Sequence, residues 1–315
     1  MNATRSLDWR AALSFLALAL IWGSTWIVIK GQIAAAPPAW TVAWRFLLAA
    51  PAMFALALLR GDRLRLTAPE WRLAAVVGLL QFCANLNFVY NAEVHLTSGI
   101  VAVLFVLIIV SNAVFAKLLN GETTNGAFWA GGGVALGGMI LLLWHETRTG
   151  VPGGNVVLGT FFALMGVLTA SLANVVQAGR VGKGLPLASL LAWGMTFGVG
   201  ANLLLAFATE GVPTLPTGAA FWAGLAYLAI AGSVVTFSLY YTLIRRIGAG
   251  RAAYQNIFVI IVAMLISTVV EDYRWSILSI AGAGLALLGT WMALRARAQP
   301  PESVAQAASP SRQVG

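Results

Sequence analysis

Long apolar runs broken by short polar interruptions dominate this chain. A helix that crosses a bilayer needs about 20 mostly apolar residues. Ten segments meet that length: roughly 11–30, 38–59, 71–91, 97–118, 126–144, 156–178, 187–208, 219–243, 252–270 and 275–294. The breaks between them carry chain breakers, among them Pro37-Pro38, Gly61-Asp62, Gly121-Glu122, Pro152-Gly153-Gly154 and the stretch from Pro213 to Pro216. The pattern predicts an all-α integral membrane protein of ten transmembrane helices. Residues 295–315 are rich in Pro, Ser, Ala and Gln. They read as a disordered tail, since such a composition cannot bury enough apolar surface to fold.

Composition agrees. Of 315 residues, 60% are hydrophobic and 9% charged, against about 25% charged in a soluble domain. The net charge of +9 is informative through its distribution. With ten spans and the N-terminus inside, 15 Lys and Arg fall on the cytoplasmic side and 3 (Lys30, Arg148, Arg274) outside, leaving Arg45 within span 2. That asymmetry is the positive-inside signature, and one missed span would scramble it. Both termini are expected in the cytoplasm, in a bacterial inner membrane. No basic run interleaved with aromatics points to nucleic acid. The single cysteine, Cys83, makes no intrachain disulfide and no metal cluster. Span 1 is longer than a signal-peptide core and carries polar residues, so it reads as a retained helix.

A shift of 151 positions brings Trp71 onto Trp222, Tyr90 onto Tyr241, Gly131 onto Gly282 and Gly138 onto Gly289. A shift of 149 brings Pro37 onto Pro186 and Trp44 onto Trp193. Spans 1–5 (residues 11–144) and 6–10 (156–294) therefore read as two copies. Five is odd, so the second copy enters the membrane in the opposite direction. Inverted repeats of this kind are common in secondary transporters, with the substrate near the midplane between them.

Trp22-Gly23-Ser24-Thr25 in span 1, Arg45-Phe46 in span 2, Thr97-Ser98 opening span 4 and Gly121-Glu122 closing it carry a resemblance. So do the glycines of span 5. The chain resembles the EamA-type members of the drug/metabolite transporter superfamily over all ten spans. The resemblance implies a ten-helix inner-membrane carrier with a central cavity, usually an exporter of small metabolites such as amino acids. The second copy departs from the pattern: Glu271 lacks a preceding glycine, and no proline lies near Ser111 or Ile260, where the family often has one. A proline hinge is therefore not expected here.

Polar groups at membrane depth need a partner or a water-lined cavity. Arg45 lies about 10 Å below the outer interface, taking 1.5 Å per residue. Either it snorkels outward, or it faces the cavity and attracts a carboxylate. Lys30 is either a solvated end residue or part of the same positive vestibule. In span 3, Gln81/Asn85 and Asn87/Asn91 form two i,i+4 pairs. The first, nearer the bilayer centre, is assigned to the cavity and the second to helix–helix contact. Trp22, Ser24, Thr25, Asn174, Tyr240, Tyr254 and Asn256 complete the expected substrate pathway, each with interhelical packing as its alternative. Gly133-x-x-x-Gly137 and Gly194-x-x-x-Gly198 read as packing grooves.

No Asp or Glu lies mid-span, which argues against the intramembrane carboxylate of many proton-coupled carriers. Glu93, His95, His145 and Glu146 fall at outer helix ends. No phosphate-binding glycine loop is present. The expectation is a secondary transporter, with no cofactor or metal, working by facilitated export or exchange through alternating access. Its partners are a carboxylate-bearing small molecule and the lipid bilayer, and the oligomeric state is left open, a monomer included. The alternative is an intramembrane enzyme acting on lipid. It would need a catalytic cluster at depth, and the sequence supplies none.

Overall fold

In the computed structural model the described residues are 9–149, 151–247 and 255–297. They form ten long helices and, among the described residues, no strand. These are α1 (Trp9–Ile33), α2 (Pro38–Leu59), α3 (Ala68–His95), α4 (Ser98–Asn120) and α5 (Gly126–Thr149). The others are α6 (Val156–Gln177), α7 (Leu187–Glu210), α8 (219–247), α9 (Gln255–Val270) and α10 (Ile277–Arg297). One short helical turn, Arg180–Gly184, lies between α6 and α7. Nine of the ten are long and apolar enough to cross a membrane, and Gln255–Val270 is a shorter apolar helix. Of the expected tail, residues 295–297 finish α10 and the remainder lies outside the described residues.

Local chemistry sets the boundaries. Pro37 precedes α2, and Pro38 occupies its first turn, where a missing N–H costs nothing. Thr67 and Glu70 close a capping box on α3. The Asn155 side chain accepts the Leu158 amide at 3.0 Å to start α6. Gly121 ends α4 with φ of 69°, which glycine adopts at little cost.

Contacts between helix ends fix directions. At one end, Lys30 of α1 donates to the Leu96 carbonyl beyond α3 at 2.9 Å. Glu210, ending α7, accepts the Ala39 and Trp40 amides that open α2, at 3.0 and 3.1 Å. Gln32 donates to the Phe221 carbonyl at the start of α8 at 2.8 Å. Gly159 in the first turn of α6 lies against Leu96 and His95. At the opposite end, Ser189 opening α7 donates to the Arg63 carbonyl beyond α2 at 2.7 Å. There Asn125, just before α5, donates to the Ala296 carbonyl in the last turn of α10 at 3.2 Å. So α1 runs toward the Lys30 end and α6 runs away from it: the two five-helix halves are inverted.

The seam between α5 and α10 carries the pseudo-two-fold in its glycines. A Cβ on Gly131 would stand 2.5 Å from the Ala293 nitrogen and 2.8 Å from the Gly289 oxygen, and one on Gly138 would stand 2.5 Å from the Gly282 oxygen. The 151-residue offset exchanges these two contacts, 131–289 and 138–282. Here the reading of Gly133-x-x-x-Gly137 as a groove is corrected: neither glycine has an atom within 4 Å of its would-be Cβ. At 3.6 residues per turn, Gly133 is turned about 200° from Gly131. The other groove holds: a Cβ on Gly198 would meet Phe82 at 2.7 Å, and Gly78 abuts the Gly194 oxygen.

Two helices depart from α geometry at matching places. In α3 residues Gly78–Asn85 are π-helical, and in α8 Ile230–Val235 are. Shifted by 151, the first falls on 229–236. Without any proline, α4 still contains a 3₁₀ turn at Phe105–Leu107. Breaks of both kinds recur at functional positions in helices.

The seam yields a contrast. Gly138→Ala and Gly289→Ala force backbones apart, and each is expected to lower stability by about 1–3 kcal/mol. Gly133→Ala and Gly137→Ala stay within about 0.5 kcal/mol. Unfolding of the purified variants in mild detergent reads the difference.

Candidate functional site

A cavity of about 150 Å³ lies between the two halves. Each half supplies walls: Trp22, Thr25, Trp26 and Ile29 from α1, Arg45 from α2, Gln81, Asn85, Leu86 and Val89 from α3. Ala102, Phe105 and Ile108 come from α4, Ala170 and Asn174 from α6, Gly232, Phe237 and Tyr240 from α8, and Asn256, Val259 and Ile260 from α9. Asn174, Tyr240 and Asn256 also border a second cavity, of about 460 Å³. That one leads past Asn112, Gln177 and Tyr241 to Asn120, Glu122 and Lys183, which are exposed. The cavity is therefore open toward the Arg63 end.

Arg45 is its one charged lining residue among those described, and is 4% exposed. Nε donates to Ser233 Oγ at 3.1 Å, Nη1 to the Tyr90 hydroxyl at 3.4 Å and Nη2 to the Gly232 carbonyl at 3.3 Å. All three partners are neutral, and among the described residues no carboxylate pairs with it. The π-turn of α8 presents two of these partners. Ser233 Oγ in turn donates to the Leu228 carbonyl at 2.9 Å. Gly232 has to be small: a Cβ there would come within 2.9 Å of the Thr25 methyl. A guanidinium carries five N–H groups. Three are taken and two remain for whatever occupies the cavity.

The apolar wall is aromatic. Trp22 packs edge-on to Tyr240 and Phe237, ring centres 5.2 and 5.7 Å away, and Trp26 lies 5.2 Å from Phe105. The Trp26 indole N–H is buried with no hydrogen-bond partner. It is a second donor left over at the cavity. Trp44 does not line it. Trp44 packs on Trp40, Phe221 and Trp222 instead.

The two polar pairs of α3 separate. Gln81 donates to Asn85 at 3.2 Å and Asn85 to the Gly166 carbonyl at 2.8 Å, both bordering the cavity. Asn87 donates to Asn202 of α7 at 2.7 Å, and Asn202 to the Phe82 carbonyl at 2.9 Å. Asn91 bonds back to the Asn87 carbonyl. Asn174 accepts from the Tyr241 hydroxyl at 3.3 Å where the two cavities join.

Two of the expected pathway residues fall elsewhere. Ser24 is not part of the lining. Its hydroxyl meets the Tyr227 hydroxyl of α8 at 2.7 Å and is spent on holding α1 to α8. Tyr254 lies outside the described residues. Sequence reasoning passed over Phe105, Phe237 and Gly232. Their chemistry is ordinary; Phe105 lies in the 3₁₀ turn of α4, Gly232 in the π turn of α8, and Phe237 just beyond that turn. Lys30, part-exposed at the end of α1, does not line the cavity: it donates to the carbonyls of Glu93 and Leu96.

Ten helices in inverted halves, with a polar-tipped cavity between them, define a membrane transporter. Comparison with known proteins makes this specific. The EamA-like transporter family matches residues 9–144 and again 157–295, and the chain belongs to that family. YedA of Escherichia coli (strain K12), an uncharacterised inner membrane transporter, is 30% identical over 258 residues, covering 81% of each chain. YoaV of Bacillus subtilis (strain 168), an uncharacterised transporter, is 22% identical over 284 residues, covering 90% of this chain and 96% of its own. A known crystal structure superposes with a TM-score of 0.67 at 20% identity, over 90% of this chain and 96% of the other, which bears on the fold alone.

The division of α3 is testable. Asn202→Ala strips Asn87 and the Phe82 carbonyl of a partner and is expected to cost about 0.6–2 kcal/mol. Gln81→Ala, losing one bond at a cavity wall, costs less than about 0.5 kcal/mol. Thermal unfolding in detergent separates the two.

Proposed function

We propose that this chain is a secondary transporter of the inner membrane, not an enzyme, that exports small carboxylate-bearing metabolites, amino acids among them, by alternating access. Its working halves are residues 11–144 and 156–294. The Arg63 end is cytoplasmic, with both termini, and the Lys30 end is outside. Trp22, Thr25, Arg45, Gln81, Asn85, Asn174, Tyr240 and Asn256 form the substrate path. The observation that carries this reading is Arg45: a buried cation at a cavity, held by three neutral groups, with two N–H groups to spare.

Several facts support it. A charge is expensive at membrane depth, and such residues mark ion or substrate routes. A carboxylate fits a guanidinium through paired N–H donors, and the Trp26 indole N–H adds one more donor. The aromatic wall suits an apolar body. The 15-to-3 split of Lys and Arg assigned along the sequence puts the loop that carries Arg63 in the cytoplasm, and the cavity opens at that end, so the conformation is the one that loads from the cytoplasm. The named relatives YedA and YoaV are transporters, and YedA is an inner membrane one.

The test is uptake of a labelled amino-acid panel into liposomes holding the purified protein, with Arg45→Ala and Arg45→Lys in parallel. Losing a charge-assisted hydrogen bond costs about 1.5–3 kcal/mol, so Arg45→Ala is expected to cut carboxylate flux by roughly 10- to 100-fold. Arg45→Lys, which cannot reach Ser233, Tyr90 and Gly232 together, falls in between. Normal flux in both variants would make Arg45 structural and remove the basis of the carboxylate reading.

A further inference from the structure

Beyond the cavity, at the Lys30 end, four elements meet around Ser98, the first residue of α4. Glu93 comes from the last turn of α3, Glu271 follows α9, Glu146 sits near the end of α5 and Lys30 near the end of α1. None of them lines the cavity. Both Glu271 oxygens accept the Ser98 amide, at 3.2 and 3.1 Å, and Oε2 also accepts from Ser267 Oγ at 2.6 Å. Glu146 Oε1 accepts the amide and the hydroxyl of Thr97, both at 3.1 Å. Lys30 is held by the main-chain carbonyls of Glu93 and Leu96. His145 is turned to the Arg274 carbonyl and Ser276, and His95 lies by the Asn155 amide. Glu93 is different. It is 0% exposed, its Oε2 lies 3.2 Å from Ser98 Oγ, and its Oε1 has no partner.

A proton count distinguishes the two carboxyls that share Ser98. The Ser98 hydroxyl lies within hydrogen-bonding distance of Glu93 Oε2, at 3.2 Å, and of Glu271 Oε1, at 3.3 Å. A serine hydroxyl has one proton to give. It can bridge to one carboxylate, and the second oxygen–oxygen contact needs a proton that the carboxyl itself brings. Glu271 already receives an amide and the Ser267 hydroxyl, the environment of a carboxylate. Glu93 has Ser98 as its one side-chain hydrogen-bond partner, one oxygen bare, and a second carboxylate beside it. The Lys30 ammonium also faces it and favours the charged form, but it makes no ion pair with Glu93 and is spent on the Glu93 and Leu96 carbonyls, while the nearby Tyr90 hydroxyl is turned to Arg45. A neutral acid fits that seat. Among the described residues no group of three or more His, Cys, Asp or Glu side chains that could hold a metal ion gathers here or elsewhere.

We propose that Glu93 is a proton-binding site that latches the Lys30 end shut. Closed, Glu93 is the neutral acid: it donates its proton to Ser98 Oγ, which donates its own to Glu271. The bond joins α3 and α4 of the first half to the end of α9 in the second. Opening hydrates Glu93, whose carboxyl passes its proton to water on that side and becomes a carboxylate. Closing takes a proton back from the same side.

Linkage fixes the sign. A solvated glutamate ionises around pH 4.3. Above that value the open state has one proton fewer than the closed one, so the open-to-closed ratio rises up to about tenfold per pH unit. Acid on the Lys30 side holds that end closed. Because the proton enters and leaves by one face, the latch biases the gate without carrying protons across the membrane. Glu93 thus needs no second access route and is compatible with facilitated export. The site stands on its own geometry; only its effect on flux rests on the transporter reading.

Two measurements test it without a substrate. Infrared spectra of the purified full-length protein with isotope-labelled glutamate should show a protonated carboxyl band at pH 7 that Glu93→Gln removes. If Glu93→Gln does not fold, Ser98→Ala should shift the band by removing its acceptor. No band at pH 7, or one indifferent to both changes, overturns the proposal. Spin labels on Val94→Cys and Val270→Cys, both at exposed positions, with Cys83→Ala, then report the opening in nanodiscs. The long-distance population should grow from pH 5 to pH 8 and stay low throughout in Glu93→Gln. Equal titrations in the two proteins would overturn the latch, and a lost infrared response beside intact Arg45-dependent transport would leave the transporter reading standing.

Discussion

A guanidinium at membrane depth has to be met by something, and most of the arrangement around the cavity follows from meeting Arg45. With no carboxylate paired to it among the described residues, the protein uses dipoles. A hydroxyl, a phenol and a main-chain carbonyl take three of its N–H groups. That carbonyl points inward because α8 is π-helical there. Gly232 keeps the approach open, and Ser233 is oriented by the Leu228 carbonyl. The Arg45 guanidinium also lies 5.7 Å from the Phe46 ring. These contacts disperse the charge without cancelling it. A negative group on a ligand would complete them, which is the basis of the proposed preference for acids.

The frame that holds this cavity is symmetric in its contacts. The α5–α10 seam lets backbones touch at glycines that the repeat exchanges, and small residues permit such approach where lipid offers no hydrophobic drive. The π turns of α3 and α8 answer each other across the cavity, one bringing Gln81 and Asn85 to its edge, the other holding Arg45. The ends are not symmetric. The Arg63 end opens into the wider cavity, while the Lys30 end is tied by Glu210, Glu271 and Gln32 across the two halves. The proposed alternating access would require this asymmetry to reverse.

Much of the fold was legible because the bilayer makes hydropathy decisive: every expected span overlaps an observed helix. The misses are local and physical. Span 3 was expected to end near residue 91, yet α3 runs to His95. Glu93 falls at an outer helix end in one dimension and is fully buried in three. The i,i+4 spacing separated Gln81 and Asn85 from Asn87, because side-chain direction on a helix follows from sequence distance. It could not rank Gly133 and Gly137 against Gly131 and Gly138, since all four are small and only the partner helix selects a face. Ser24 was misread for a similar reason: its partner, Tyr227, lies far away along the chain, as do the carbonyls that hold Lys30 at the end of α1. The absence of mid-span carboxylates was read correctly along the chain, but it says nothing of Glu93, Glu146 and Glu271 converging on α4.

The central claim is that the cavity holds an unmatched positive charge awaiting an acid. It is tested most directly from the ligand side, by the thermal stability of the purified protein with matched pairs of ligands, each an apolar amino acid and its carboxamide. A bound ligand stabilises in proportion to its affinity. The account predicts that a carboxylate raises the melting temperature, that its carboxamide does so far less, and that Arg45→Ala erases the difference. Equal stabilisation by acid and amide, unchanged by Arg45→Ala, would contradict it.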